Sequence, residues 1–307
     1  MKGLRLLTSP FISYVTFNRL GLTERNLKAL FQTAEDFEMH IIDNNSQDGT
    51  WEFLQELSDP RIKSKTRFDL NYGPIYAVNF NLMKRRPDQY FITIDADVLI
   101  KTPNWISCFM DVFNNFPEVG LLGVQRGTPY PPYYPPVVPQ VRNTASYLQL
   151  QNAFIDTPLD FVPGCCQCLR PELIREIGYW SEENGYGDAE LSPRVAHYTS
   201  FKVGFVPAIQ IDMTQQLGCE LCQAQRWCRA PGTSHCFTIR LSSYKNEAFA
   251  SSFHWKYLET FRELQDGRRT AYCASQLDPQ SMVGHLYHPD WASENFSFYI
   301  INANYRV

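Results

Sequence analysis

The sequence contains no apolar run close to the roughly 20 residues that a membrane-spanning helix needs. Its N-terminal residues also lack the longer apolar stretch and small-residue cleavage site of a secretory signal. We therefore expect a soluble, cytoplasmic protein with at most peripheral membrane contact. Basic residues are not in excess either, because 28 Lys and Arg stand against 32 Asp and Glu, a formal net charge of -4. Since nucleic-acid binding usually needs a basic excess, we expect no nucleic-acid partner.

Two glycine-rich phosphate-binding motifs are also absent. No G-x-G-x-x-G follows the first predicted strand, and G-x-x-x-x-G-K-[ST] occurs nowhere in the chain. These absences argue against dinucleotide-dependent dehydrogenases and P-loop nucleotide hydrolases, which are common occupants of doubly wound sheets.

The first half of the 307-residue chain alternates short β-rich runs with helical periodicity. Strands are predicted over Phe11–Thr16, Met39–Asp43 and Tyr90–Ile94, with a weaker one over Ile62–Phe68. Between them, apolar residues recur at helical spacing. This alternation predicts a mostly parallel sheet covered by helices.

Later boundaries follow from cap residues and apolar runs. Thr50 is predicted to cap the second helix, and Thr102 with Pro103 to begin a later one. Further strands are predicted over Phe161–Leu169 and Phe201–Val206. Three more helices are expected, over Pro171–Ile177, Glu190–His197 and Trp255–Leu264.

Three polar clusters directly follow predicted strands: Thr16-Phe-Asn-Arg19, Asp43-Asn-Asn-Ser46 and Asp95-Ala-Asp97. The carboxyl ends of parallel strands meet at one edge of an open α/β sheet, where ligands bind. A single strand-end aspartate is usually a helix cap or a turn residue. Three polar strand ends on one edge favour a ligand site.

Asp95 and Asp97 have the spacing of a possible metal site. Two carboxylates two residues apart can bind a divalent cation, and hard oxygen ligands suit Mg²⁺ or Mn²⁺. Such a cation would offset the negative charge that a departing nucleotide accumulates. The pair alone is weak evidence, because D-x-D also occurs in solvated turns.

Six segments together resemble the family 2 glycosyltransferases of GT-A fold. The donor half of that family is similar to Ile12-Ser-Tyr-Val-Thr-Phe-Asn-Arg19, His40-Ile-Ile-Asp-Asn-Asn-Ser-Gln-Asp-Gly-Thr50, Asn71-Tyr-Gly73 and Ile94-Asp-Ala-Asp97. The acceptor half resembles Gly178-Tyr-Trp180 and Gly187-Asp-Ala-Glu-Leu191. The resemblance implies a Rossmann-like, mostly parallel α/β sheet flanked by helices, with a C-terminal extension.

The resemblance also implies a domain division and an activity. A catalytic domain would span residues 1–215, with a donor half of about 1–125 and an acceptor half of about 126–215. Residues 216–307 would form a cysteine-containing extension packed on it. The implied reaction is hexosyl transfer from a nucleotide sugar, a UDP-sugar being favoured, with inversion and with Mn²⁺ or Mg²⁺. The acceptor would be a hydroxyl of a glycan, lipid-linked sugar or protein, as in polysaccharide biosynthesis.

Site roles are carried over from the family residue by residue. The implied donor-binding residues are Thr16, Phe17, Asn18, Arg19, Asp43, Asn45, Asn71, Gly73, Asp95 and Ala96. Among them, Phe17 would stack near the base, Asp43 would hydrogen-bond the base edge, and Asp95 would reach the ribose or the metal. Asp97 would bind the metal directly. Asp188 would be the general base.

Two departures from the family pattern leave alternatives open. The usual acidic pair before the catalytic helix is Gly187-Asp188 here, so Glu190 is an alternative base and Asp188 could instead be a helix cap. Where the family often has a histidine after a later strand, this chain has Asp212, which is either a metal ligand or a surface residue. His285 or His288 could supply the histidine, and His288 is the candidate metal ligand.

The nine cysteines are an odd number, and reduced thiols are expected. Four of them could form a structural zinc site, or simply fill a small core: Cys219, Cys222, Cys228 and Cys236. Three others lie in a predicted strand and should fill the core: Cys165, Cys166 and Cys168.

The acceptor pocket is expected in two variable regions, residues 127–139 and the C-terminal third of the chain. Residues 127–139 contain six prolines and three tyrosines, and we expect this run neither to pair in a sheet nor to continue a helix. It would be a stiff connecting loop or an acceptor-side flap. Tryptophans outside this run could stack on sugars or fill a core: Trp180, Trp227, Trp255 and Trp291.

Two other functions stay open. A non-catalytic sugar- or nucleotide-binding module could keep the same scaffold, although the presence of Asp95, Asp97 and Asp188 argues against it. A nucleotidyltransferase also uses paired aspartates, but normally needs a glycine-rich basic loop after the first strand. The segment Thr16-Phe-Asn-Arg-Leu-Gly21 does not provide one.

Overall fold

The computed structural model of the chain describes residues 8–125, 135–151, 161–185, 187–213 and 247–301. The first elements are β1 (Phe11–Thr16), α1 (Leu20–Leu30), β2 (Glu38–Asp43), α2 (Thr50–Glu56), β3 (Ile62–Arg67), α3 (Gly73–Leu82), β4 (Phe91–Asp95), β5 (Val98–Ile100), α4 (Trp105–Asn115) and β6 (Val119–Gly123). They are followed by β7 (Val137–Arg142), β8 (Ala145–Leu150), β9 (Cys166–Leu169), α5 (Pro171–Ile177), α6 (Gly187–Tyr198), β10 (Lys202–Phe205), β11 (Ile211–Met213), α7 (Glu247–Gln265) and α8 (Pro289–Ile301).

The described strands form a nine-stranded sheet in the order β3-β2-β1-β4-β9-β6-β10-β8-β7, and β5 pairs with β11 separately. Strands β8 and β9 run antiparallel to their neighbours, whereas β3, β2, β1 and β4 are parallel. The chain moves outward from β1 to β3 and then crosses to β4. The strand order therefore reverses between β1 and β4, the place where open α/β sheets bind ligands. The predicted mostly parallel α/β architecture is confirmed.

The sheet separates two apolar layers. Helices α1, α2 and α4 pack on one face, and α3, α5 and α6 pack on the other. Along β1, Ile12 and Tyr14 point into the first layer and Phe11 into the second, as the two-residue period of a strand requires. Three cysteines are buried in the first layer, as expected: Cys165, Cys166 and Cys168. Burial raises the pKa of the Cys166 and Cys168 thiols, because it disfavours the thiolate.

The start of α2 differs from the prediction. Thr50 is not the cap but the first helical residue, preceded by Gly49 in the left-handed region with φ 94°. The carboxylate of Asp48 accepts hydrogen bonds from the Thr50 backbone N–H at 3.1 Å and hydroxyl at 2.6 Å. Asp48 therefore satisfies a donor at this helix start, two residues ahead of Thr50.

The start of α4 also differs. The helix begins at Trp105 rather than at Thr102 and Pro103. The Glu35 carboxylate accepts hydrogen bonds from the backbone N–H groups of Ile106, at 2.9 Å, and Ser107, at 2.7 Å. A side chain distant in sequence thus satisfies the first-turn donors. Thr102 instead bonds the backbone of the segment before β11.

The expectation that residues 127–139 cannot pair in a sheet is wrong at its C-terminal end. Pro139 lies in β7, opposite Leu148 of β8. This strand is at the edge of the sheet, where a residue without a backbone N–H is tolerated. Residues 127–134 of the run lie outside the described part. The predicted strand Phe161–Leu169 is also shorter, and begins only at Cys166.

Described C-terminal residues pack against the sheet domain through buried charges. Arg269 donates two hydrogen bonds to Glu183, at 2.8 and 2.9 Å, and one to Glu263 at 3.0 Å. His288 contacts the same two carboxylates, through its ring at 2.8 Å and its backbone N–H at 2.7 Å. These residues join α7 and the segment before α8 to the loop that precedes α6. Among the helices described, none has the length and apolarity to cross a membrane.

Candidate active site

The carboxyl ends of four parallel strands bring the predicted polar clusters to one edge. Thr16 of β1 is in register with Asp43 of β2, and Asp43 with Arg67 of β3. Asp95 of β4 is in register with Val15. The three clusters therefore lie side by side at the reversal of strand order.

Asp97 lies in the turn between β4 and β5, with its side chain fully buried. Its Oδ2 atom accepts a hydrogen bond from Arg19 at 2.6 Å. The turn is held by the Ala96 carbonyl, which accepts hydrogen bonds from the Asn26 amide at 2.8 Å and the Tyr14 hydroxyl at 3.5 Å. The helix α1 and strand β1 thus fix where the carboxylate points.

The second oxygen of Asp97 has the environment of a metal ligand. Its Oδ1 atom is buried and has no hydrogen-bond partner among the residues that the structure describes. Leaving a buried carboxylate oxygen unpaired costs about 1–3 kcal/mol or more, so such an atom calls for a partner. A divalent cation would provide one, and Asp95 is two residues away at the end of β4.

The described residues contain no cluster of three or more His, Cys, Asp or Glu that could hold a metal ion alone. This fits a cation held partly by its substrate. Mg²⁺ in particular is usually bound through one or two carboxylates together with substrate phosphates and water. The donor set at Asp97 therefore fits a divalent cation that arrives with a diphosphate.

The two more distant predicted ligands lie in different places. Asp212 is in β11, opposite Leu99 of the β5 strand that follows Asp97, and is 2.9 Å from Lys101. His288 contacts Glu263 in the C-terminal charge network and stacks on Trp291. The structure thus pairs the strand of Asp212 with β5, the strand that follows the turn at Asp97. His288 instead has partners in the C-terminal charge network. Their roles as ligands remain predictions.

Asp43 is a buried carboxyl at the same edge. It accepts hydrogen bonds from the backbone N–H and the hydroxyl of Ser46, and the Arg67 guanidinium lies 3.5 Å away. Burial raises the pKa of Asp43 to about 6, an effect that these bonds and Arg67 only partly oppose.

The loops after β1 and β2 interlock beside Asp43. The Asn18 N–H donates to the Ser46 hydroxyl at 2.8 Å, and its side chain accepts from the Gln47 N–H at 2.7 Å. Asn18 and Asn45 both have positive φ, 48° and 68°, a conformation that asparagine tolerates better than most residues. Phe17, which precedes Asn18 in the first loop, is half-buried. The predicted donor-binding residues of both loops therefore form one rigid surface.

Asn71 and Gly73 extend this surface at the start of α3. Asn44 accepts a hydrogen bond from the Tyr72 N–H at 3.1 Å and donates one to the Gly73 carbonyl at 3.0 Å. Asn71 accepts one from the Gly73 N–H at 3.0 Å. Gly73 has φ 85°, and a Cβ there would lie 2.4 Å from the Tyr299 ring. Glycine is thus required both by conformation and by the approach of α8.

Asp188 lies in the first turn of α6 and is partly exposed. Its two carboxylate oxygens accept hydrogen bonds from the N–H groups of Gly164, at 3.1 Å, and Ala189, at 3.0 Å. The N-terminal end of a helix favours negative charge. This carboxylate is therefore held in one orientation by two backbone donors.

Glu190 has a different environment, although it is only two residues away. It is fully buried and bonded to Arg194 at 2.8 Å. Burial raises the pKa of Glu190, against the opposing effect of Arg194. The Arg194 guanidinium also donates to the backbone carbonyls of Ile177 and Ala271. Glu190 is thus tied into the core, whereas the Asp188 carboxylate is partly exposed.

Several contributors to this site were not singled out from the sequence. Arg67 faces Asp43, Asn44 holds the start of α3, and the Gly164 N–H orients Asp188. Arg67 could have been found as a basic residue ending a strand next to Asp43. The contact of Gly164 has no sequence signal, because the two residues come from separate segments. The four cysteines of the possible zinc site, and Trp227, lie outside the described residues.

An open α/β sheet with a buried strand-end carboxylate at its switch point is the arrangement of an α/β protein that binds its ligand at this edge. The family model described as glycosyl transferase family 2 matches residues 12–178, more than half of the chain. The chain belongs to this family and is a glycosyltransferase. A comparison with curated protein sequences finds no significant match.

Solved structures show the same fold at low sequence identity. The mannosyltransferase PcManGT from Pyrobaculum calidifontis, solved with GDP-Man and Mn²⁺, has a TM-score of 0.53 at 14% identity, covering 97% of this chain and 88% of that one. TarS 1-349 from S. aureus, solved with UDP-GlcNAc, has a TM-score of 0.52 at 16% identity, covering 96% and 81%. Against a longer TarS chain the TM-score is 0.50 at 15% identity, and the match covers 67% of this chain but 36% of that one.

Proposed function

We propose that this enzyme transfers a hexosyl unit from a nucleotide sugar, a UDP-sugar being favoured, to a hydroxyl group of a glycan acceptor. The reaction would invert the anomeric centre and use Mn²⁺ or Mg²⁺. The observation that carries the proposal is the buried Oδ1 atom of Asp97, unpartnered among the described residues at the switch point of the sheet. The complexes of PcManGT with GDP-Man and Mn²⁺, and of TarS with UDP-GlcNAc, support the donor class.

In this proposal, each part of the nucleotide-sugar donor has a matching residue. Asp97 and Asp95 would hold the cation, which when bound offsets the negative charge on the leaving nucleoside diphosphate. Arg19, 2.6 Å from Asp97, places a further positive charge at the same point. Asp43 would accept a hydrogen bond from an N–H on the base edge, and Phe17 would contact the base. The start of α3 would border the ribose.

Asp188 would act as the general base. The carboxylate would take the proton of the acceptor hydroxyl as that oxygen attacks the anomeric carbon, while the nucleotide leaves from the opposite face. Attack opposite to the leaving group inverts the configuration. The two backbone N–H groups that bond Asp188 would orient it for this proton transfer.

The first test replaces Asp97 and measures metal-dependent turnover. We expect Asp97→Asn, which keeps the size of the side chain, to lower hydrolysis or transfer from UDP-sugars or GDP-mannose by at least about 10²-fold, because the leaving-group charge loses its counter-charge. EDTA should abolish wild-type activity. Asp111→Asn is the control, since Asp111 is an exposed carboxylate on α4.

Three results would separate this proposal from its alternatives. Full activity of Asp97→Asn, or of the wild type in EDTA, would contradict the metal role. Binding of UDP or GDP by calorimetry without turnover on any acceptor pool would indicate a non-catalytic module. Release of pyrophosphate from a nucleoside triphosphate and a sugar phosphate would indicate nucleotidyl transfer.

A further inference from the structure

A cavity of about 450 Å³ lies between helices α3 and α8. This volume is within the range of about 300–1,000 Å³ that is usual for small-molecule sites. Its lining includes Tyr72, Tyr76, Gln276, Ser293, Phe296 and Ser297. It is thus built jointly by the start of α3 and by the C-terminal part of the chain.

Two contacts connect the start of α3, one wall of the cavity, to the active site. The Tyr72 N–H is bonded to Asn44, the neighbour of Asp43, so its rim continues the donor surface. On the same helix, Ile75 packs against Gly187, so closely that a Cβ on Gly187 would lie 2.6 Å from its Cδ1 atom. Gly187 directly precedes Asp188. A ligand in the cavity would therefore lie beside the helix that links the donor loop to the catalytic base.

The walls have the chemistry of a neutral sugar site. The rings of Tyr72 and Tyr76 stack at 4.7 Å with an interplanar angle of 28°, and Phe296 meets Tyr76 edge-on at 5.4 Å. Such aromatic surfaces match the apolar C–H face of a pyranose. The Gln276 amide and the hydroxyls of Ser293 and Ser297 can donate to and accept from sugar hydroxyls.

The lining also excludes other ligand classes. Its described residues include no Lys, Arg, His, Asp or Glu, so a phosphate or a carboxylate would have no counter-charge there. A nucleotide is therefore a poor occupant. The apolar side chains of Leu277 and Ile300 join the aromatic and neutral polar groups in the lining. This mixture suits an uncharged ligand that presents both C–H faces and hydroxyls, such as a sugar.

We propose that this cavity binds a neutral pyranose unit of the acceptor glycan, separate from the sugar that receives the transferred hexosyl unit. The inference rests on the proposed function, because it identifies the acceptor of that reaction as a neutral oligosaccharide. It makes the C-terminal segment a part of acceptor recognition. A sugar in the cavity would lie beside α3, the helix whose Ile75 packs against Gly187.

The test measures saccharide binding with the donor site blocked. Wild-type protein saturated with UDP and Mg²⁺ is titrated with methyl glycosides and disaccharides of glucose, galactose, mannose, N-acetylglucosamine and N-acetylgalactosamine, and binding is followed by ligand-observed NMR. We expect at least one to bind. Ser297→Trp, which fills the cavity, should raise its Kd about tenfold or more, and Tyr76→Ala should also weaken binding. Ile301→Trp is the size-matched control, because Ile301 on α8 is 68% exposed.

The outcomes are separable from those of the proposed function. UDP or GDP binding by calorimetry reports on the donor site alone, and should be equal in wild type and Ser297→Trp. The cavity proposal is overturned if no saccharide of the panel binds the wild type, or if Ser297→Trp binds as tightly as wild type. It is also overturned if Ser297→Trp weakens UDP binding, since the cavity would then belong to the donor site.

Discussion

At the residue scale, the environments of four acidic side chains separate their functions. Asp97 has a buried oxygen without a partner in the described structure, Asp43 is bonded to Ser46, Asp188 is bonded to backbone N–H groups, and Glu190 is paired with Arg194. The contacts of each carboxylate decide whether it can bind a metal ion, hydrogen-bond a nucleobase, accept a proton or only stabilise the core.

Asp188→Asn should separate catalysis from stability. We expect kcat to fall by about 10²–10⁴-fold, because an amide cannot accept the acceptor proton, while the Kd for UDP stays unchanged. The Tm should also stay close to that of wild type, since an amide oxygen can still accept the Gly164 hydrogen bond. Steady-state kinetics with thermal denaturation would measure both effects.

Glu190→Gln is the matched variant. It should lower the stability of the fold and leave kcat almost unchanged. It leaves the buried Arg194 without its ionised partner, and breaking a buried ion pair costs about 3–5 kcal/mol. The Tm should fall strongly, while kcat of the remaining folded protein changes little. A large loss of kcat in Glu190→Gln with unchanged Tm would assign the base to Glu190 instead.

Nucleoside binding should depend on pH through Asp43. Its pKa is raised to about 6, so the carboxylate that accepts the base N–H is progressively lost as pH falls through that value. The facing charges, Arg67 and Asp48, act in opposite directions on this pKa. We expect the Kd for uridine or guanosine, which lack phosphates and need no metal, to rise about tenfold one unit below the pKa. Asp43→Asn should bind the nucleoside more weakly, with a Kd that does not change with pH. If the Kd of this variant still rose at low pH as in wild type, Asp43 would not be the titrating group.

At the element scale, the start of α3 is determined by a single glycine. Gly73→Ala should cost about 1–2 kcal/mol from the positive φ, and a further 1–3 kcal/mol or so from the clash with Tyr299. Donor affinity should fall too, because Asn44 and Asn71 both bond Gly73. Urea denaturation and UDP calorimetry measure the two effects.

Gly267→Ala provides the control for that variant. Gly267 also has positive φ, 69°, but a Cβ there would meet nothing within 4 Å. It should therefore show the conformational cost alone, with normal UDP affinity. Equal losses of stability in both variants would mean that the contact between α3 and α8 has no steric effect.

At the scale of the whole molecule, buried charges join the C-terminal elements to the sheet domain. Arg269→Met should destabilise the fold by about 3–5 kcal/mol, because it leaves Glu183 and Glu263 buried without their guanidinium partner. Arg262→Met on α7 is the control, and should change stability little because Arg262 is solvent-exposed and pairs with Glu259, outside the buried network. Similar urea denaturation midpoints for the two variants would argue that the buried network adds nothing.

The same network shows where prediction from the sequence fails. Arg269 and Glu183 are 86 positions apart in the chain, and nothing in either local pattern indicates the other. Glu35, which bonds the first turn of α4, is similarly distant from that helix. Propensities therefore place Thr102 and Pro103 at the helix start, whereas the actual partner comes from another loop. Pro139 enters a strand because that strand lies at the edge, a position set only by the assembled sheet.

The periodicity of apolar residues determined the alternation of strands and helices, and with it the edge where Thr16, Asp43 and Asp95 meet. These features follow from the sequence because they depend on neighbours a few residues apart. Tertiary structure decided that one oxygen of Asp97 stays unpartnered among the described residues, which acid is partly exposed at α6, and where α3 and α8 enclose a cavity. Those features depend on side chains from distant segments, whose contacts exist only once the layers have packed.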